Sequence, residues 1–165
     1  MTKLHFEQGP IRPPSEAHSL LLRVTRNCPW NRCEFCHTYK EEKFSFRTAE
    51  EVKQDIDVVQ QIVSEIRVLS WKYGFGGEIT APLVTLILQD AKHDSDGFYS
   101  VALWLYSGGK SVFLQDGDNL IIKAAEFVEI VGYLKKAFPS VERITTYARA
   151  KTVSRTKVGK LQDLQ

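Results

Sequence analysis

The order of elements along the chain predicts an α/β fold with a parallel sheet and right-handed crossovers. Two runs, residues 20–25 (LLLRVT) and 111–114 (SVFL), carry apolar residues at consecutive positions, as strands buried on both faces do. Between and after them lie segments with apolar residues three and four apart, the spacing of amphipathic helices that cover such a sheet. The chain has 165 residues, 43% hydrophobic and 25% charged, which is enough for one domain with its own core.

Taken in order, residues 1–18 hold Pro10, Pro13 and Pro14 without apolar periodicity and read as an extended lead-in to a core of 19–165. The first strand, 20–25, runs into a loop at 26–47 that contains every cysteine. Thr48 and Glu51 form a capping-box pattern. Behind it Val52, Ile56, Val59, Ile62, Val63 and Ile66 recur at helical spacing and predict a helix over 49–67. Residues 70–110 read as an insertion or irregular crossover. It has two short apolar helices, 81–92 and 97–106, and its aromatics Trp71, Tyr73, Phe75, Trp104 and Tyr106 are expected to pack within it. The strand at 111–114 ends in the polar turn 115–119 (QDGDN). A helix over 123–137 is stopped by Pro139. Residues 141–149 read as a third strand, and a third helix begins at Ser154.

Composition narrows the function classes. A formal charge of +2, from 22 basic and 20 acidic residues, argues against a nucleic-acid or membrane partner held by bulk electrostatics. The apolar runs 83–88 and 101–106 are far shorter than the roughly 20 residues of a membrane span. The first ten residues lack the apolar segment of a secretory signal. A cytoplasmic location is expected, with the cysteines as reduced thiols or ligands. The basic stretch 143–160 reads as a solvated face.

All 3 cysteines, Cys28, Cys33 and Cys36, fall in the stretch CPWNRCEFC, a C-x4-C-x2-C spacing directly after the first strand. Ligand sites in α/β folds lie at that end of the strands. Four readings compete. Unligated structural thiols fit poorly with Asn27, Asn31, Arg32 and Glu34 as neighbours. Zinc needs a fourth ligand; His37 adjoins Cys36, and His5, His18 and His93 sit at no finger spacing. Residues 33–37 match the C-x-x-C-H pattern of haem attachment, which leaves Cys28 without a role. A 4Fe–4S cluster held by three thiolates leaves one iron open to an outside ligand, and the cysteine count favours this reading. Spacing alone leaves room for a fourth ligand from another chain.

In this loop the sequence resembles the radical S-adenosylmethionine (SAM) superfamily. That family usually has C-x3-C-x2-C with an aromatic before the last cysteine. Here Phe35 stands in that place, and one extra residue separates the first two cysteines, as in a variant branch. The FLQD segment at 113–116 and the TTYARA segment at 145–150 also match that branch. The resemblance covers essentially the whole chain and is specific in the cysteine loop. It implies a partial (β/α) barrel with a 4Fe–4S cluster on Cys28, Cys33 and Cys36. SAM would chelate the open iron and be cleaved reductively to methionine and a 5′-deoxyadenosyl radical that abstracts hydrogen from a substrate. A one-electron reductant is implied, and a small-molecule or macromolecular substrate that the resemblance does not name. Phe35 would lie beside the adenine. The turn Gln115-Asp116-Gly117-Asp118 corresponds to the family's Gly-Gly-Glu segment, with acceptor oxygens on Gln115 or Asp116 for the SAM ammonium group. The literal Gly76-Gly77-Glu78 lies in the insertion and reads as loop punctuation. Thr146, Tyr147 and Arg149 are candidates for the same cavity, Arg149 for the SAM carboxylate, with a plain surface arginine as the alternative.

One departure qualifies the resemblance. A full barrel needs roughly 250 residues, and about three strand–helix units are legible here. The expectation is the N-terminal half of such an enzyme, as a truncated gene product, a fragment or a split subunit whose barrel a second chain completes, with the third strand as an open edge and poor turnover by this chain alone. The rival reading is a non-catalytic zinc- or iron–sulfur-binding module.

Overall fold

Residues 4–89 and 96–155 are described by the computed structural model. Strands β1 (Leu20–Arg23), β4 (Ser111–Gln115) and β5 (Arg143–Thr146) form a parallel sheet in the order β1-β4-β5. A two-residue antiparallel ladder joins β2 (Thr25–Arg26) to β3 (Ser45–Phe46). The helices are α1 (Ala49–Lys72), α2 (Ala81–Gln89), α3 (Asp96–Tyr106), α4 (Ala124–Ala137) and α5 (Ala150–Arg155). The predicted α/β class and parallel pairing are both present.

Side-chain alternation sorts the sheet into two faces. On one, Leu20, Leu22, Val112 and Leu114 join the hydrophobic core with Val52, Ile56, Val59, Ile62 and Ile66 of α1 and Ile130 and Leu134 of α4. The capping box at Thr48 and Glu51 starts α1 as its pattern predicts. The helix runs to Lys72, beyond the expected end at 67, because Leu69 and Ser70 continue the buried stripe. It stops where Gly74 takes a positive φ of 81°.

The segment 70–110 is part of the core. Val101, Ala102 and Trp104 of α3 pack into the same cluster as Leu20 and Leu22. Phe75 packs against it, whereas Trp71, Tyr73 and Tyr106 are exposed, contrary to expectation. The predicted helix over 81–92 ends at Gln89, with 90–92 outside the described residues. β5 is shorter than the expected 141–149, and α5 starts at Ala150, before the expected Ser154. The rest of that predicted helix, 156–165, lies outside the described residues.

The opposite face of the sheet carries Leu21, Arg23, Phe113, Gln115 and Thr145, and the N-terminal segment crosses it. This is no free lead-in. Gly9 N–H donates to Gln115 Oε1 (2.8 Å), and Gln115 Nε2 reaches the carbonyls of Gly9 and Ile11 (2.9 Å each). Glu16, buried after a short 3₁₀ turn at Pro14–Glu16, accepts from Ser19, Arg143 and Thr145. Phe6 is buried beside Gly97, where a Cβ would stand 3.0 Å from its ring. No periodic pattern marks this strap in the sequence, because its attachments to the sheet are polar and distant in the chain.

Gln115→Leu keeps the side-chain volume and removes all three bonds to the strap. It is expected to cost about 2–3 kcal/mol and to raise amide hydrogen exchange at Gly9 selectively. Unfolding in urea and native-state exchange would check both.

Candidate functional site

The cysteine loop is the long end of the β2–β3 hairpin, residues 27–44, and it leaves the sheet at the C-terminal end of β1. Two asparagines shape it. Asn27 (φ 68°) accepts from Arg23 Nη2 at 2.8 Å and donates to the Lys43 carbonyl at 2.7 Å. Asn31 (φ 44°) donates to the carbonyl of Tyr39. Asparagine tolerates this left-handed backbone better than most residues. Its occurrence at both positions was the signal, visible in the sequence, for a tightly folded loop.

Cys28, Cys33 and Cys36 are free thiols, each half-buried. The backbone N–H of Asn31 donates to Cys28 Sγ at 3.5 Å, and Cys36 N–H to the Cys33 carbonyl at 3.3 Å, so the last two cysteines share one turn. Among the described residues, no three His, Cys, Asp or Glu side chains are gathered into a metal-binding group. The donor chemistry nonetheless suits a soft metal centre, with three unbridged thiols on one loop and a backbone amide already directed at one sulfur.

The turn after β4 meets this loop. A Cβ on Gly117 would stand 2.9 Å from Cys28 Sγ and 3.1 Å from its Cβ, so only glycine fits without displacing the cysteine. Asp116, wholly buried at φ 78°, is committed on both oxygens. Oδ2 accepts from Arg23 Nε at 2.6 Å and Oδ1 from the Tyr39 hydroxyl at 2.7 Å. Burial pushes the Tyr39 phenol far above its usual range, and the Asp116 carboxylate pushes it further. Gln115 Oε1 and both Asp116 oxygens, the acceptors expected for an ammonium group, thus each already accept one hydrogen bond within the fold. Asp118 differs. Its Oδ2 accepts from Thr152 at 2.5 Å, while its buried Oδ1 has no hydrogen-bond partner.

Asn119, which the sequence reading passed over as part of a turn, ties the strand ends together. Its amide nitrogen lies within 2.7–2.9 Å of the Leu114 and Gln115 carbonyls and Thr146 Oγ1, and its Oδ1 accepts from Thr25 at 3.0 Å. Arg149 is held over the Trp30 ring at 4.3 Å, with Arg32 at 5.3 Å, which links the segment after β5 to the cysteine loop. Tyr147 packs edge-on against Phe113 at 5.3 Å. Phe35 is 85% exposed and touches none of these groups' hydrogen-bond network. Gly76-Gly77-Glu78 lies in the turn between α1 and α2, with both glycines at positive φ, as loop punctuation requires.

The hairpin base is held by charge. Arg26 grips Glu7 through both carboxylate oxygens at 2.7–3.0 Å, Arg23 adds a bond at 3.1 Å, and Arg47 lies 3.5 Å away. Arg47 is itself buried against Asp55 at 2.6 Å. Burial raises the Asp55 carboxyl, and the Arg47 bond offsets only part of that. Burial also acts to raise Glu7, but the Arg26 hydrogen bond and the charges of Arg47, Arg26 and Arg23 outweigh it and hold the carboxyl below its ordinary 4.5. Comparison with protein-family models, curated proteins and solved structures gives no match to this chain.

A depressed carboxyl contributes stability above its unfolded pKa that is lost as pH falls through the folded one. Glu7→Gln is therefore expected to lower unfolding stability by about 1–2 kcal/mol at pH 7. The gap to the parent should close below pH 4.5, the group's ordinary value. Urea titrations across that range would measure it.

Proposed function

We propose that this chain forms part of a (β/α) barrel of the radical SAM type. On this reading Cys28, Cys33 and Cys36 hold a 4Fe–4S cluster, and SAM lies beside the turn 115–118. The observation that carries the proposal is the contact of Gly117 with Cys28, because it joins the two segments that such a site needs. Bound together, cluster and SAM would supply one-electron reductive cleavage of a sulfonium, the electron coming from an outside one-electron reductant, and through it hydrogen abstraction from a substrate.

The chain's own residues have defined tasks in this reading. The Asn31 amide orients Cys28 Sγ, and the turn from Cys33 to Cys36 sets the other two thiols. Gly117, without a side chain, lets the turn after β4 pack directly against Cys28. Asp118 Oδ1 is the buried acceptor without a hydrogen-bond partner and is the one assigned here to an ammonium group, whereas the oxygens of Gln115 and Asp116 each already accept a bond. Arg149, stacked on Trp30, holds the loop from the β5 side. Tyr39 and Asp116 fix the loop's far end to the sheet.

The test is anaerobic reconstitution with iron and sulfide, followed by EPR of the dithionite-reduced protein with and without SAM. A reduced 4Fe–4S signal that shifts on adding SAM is the expected result. A signal blind to SAM, or zinc bound in place of iron, would favour the non-catalytic module. Cys33→Ala is expected to abolish the signal and lower iron content to background; full iron retention would overturn the ligand assignment.

A further inference from the structure

We infer that the cleft between the N-terminal strap, Leu21 of β1 and α3 binds a small organic anion, a carboxylate head on a short apolar body. The cleft has a volume of about 310 Å³, in the range of small-ligand sites. Leu21 and Leu103 give it an apolar lining, and Gln8, Arg12, Tyr99 and Ser100 a polar one. Each of those four polar side chains carries a hydrogen-bond donor, and among the described residues no acidic side chain lines the cleft.

The donors are not spent elsewhere. Arg12 has no ion-pair partner among the described residues. The Gln8 amide nitrogen is buried without a hydrogen-bond partner, and buried amide donors are ordinarily satisfied. Tyr99, Ser100 and Leu103 sit three and four residues apart on α3, so they present one helix face to the cleft. The facing wall is fixed, because Gly9 is bonded through both its N–H and its carbonyl to Gln115. One guanidinium among neutral donors, with no carboxylate among the described lining residues, selects a negative head and repels a cation. The two leucines select an apolar body over a bare inorganic ion.

None of the three cysteines lines this cleft. Its occupancy is therefore measurable on the full chain without iron, and a failed titration would leave the cluster proposal standing. Calorimetry and amide chemical shifts would be followed with butanoate, inorganic phosphate and butylammonium as probes. Butanoate is expected to bind, with shifts at Gly9 and Ser100, and Arg12→Gln to weaken it about tenfold or more. Because Arg12 is exposed, that variant should keep the parent's unfolding midpoint. Ser100→Phe, which fills the cleft, should abolish binding. No binding of butanoate at about 10 mM, equal affinity in Arg12→Gln, or binding of phosphate or butylammonium as tight as that of butanoate would each overturn the inference.

Discussion

The buried carboxylate of Asp116 is the constraint on which the rest of the site depends. A carboxylate with no exposure to water needs a charge partner and its remaining oxygen satisfied, and Arg23 and Tyr39 supply these from β1 and from the cysteine loop. Because Asp116 also takes a left-handed backbone, the chain turns sharply after β4 and brings Gly117 against Cys28. Three segments distant in sequence are thereby fixed at the C-terminal end of one parallel sheet. Asn119 does the same for the strand ends through neutral hydrogen bonds.

Much of this was legible in the sequence where a single periodicity governs. The apolar runs of β1 and β4, the capping box of α1 and the stripe of α4 all follow from burial against one core, and burial leaves a repeating mark. The cysteine spacing was legible for another reason, since thiols this close in sequence seldom serve packing. The elements that escaped are polar and long-range. Nothing local distinguishes Gln115 as the clasp of the strap, Glu7 as the carboxylate shared by three arginines, or Asp116 as a buried residue rather than a free acceptor. Their roles exist only once folding has brought together partners between 16 and 106 positions apart in the chain. Asn27 and Asn31 lie between these cases: their type hinted at the backbone they adopt, while their partners were out of reach.

The two faces of the sheet are held by different physics. One is closed by hydrocarbon from α1, α3 and α4, where the hydrophobic effect is tolerant of small shifts. The other is closed by hydrogen bonds and ion pairs from the N-terminal strap, where geometry is exacting. The directional face is the one that adjoins the cysteine loop. Precision is thus concentrated where ligand positions would matter, and tolerance where only volume must be filled.

The strap also sets an order of assembly. Its contacts span 106 residues, from Gly9 to Gln115, and 127, from Glu16 to Arg143. During synthesis from the N-terminus, Glu7 meets Arg23, Arg26 and Arg47 early, whereas the clasps of Gly9 and Glu16 on the sheet wait until β4 and then β5 have left the ribosome. The stretch the ribosome releases earliest is thus fastened in two stages, the second near the end of synthesis. Through most of translation the clasp on Gln115 therefore stays open, and it can close only once the parallel pairing of β1 with β4 exists.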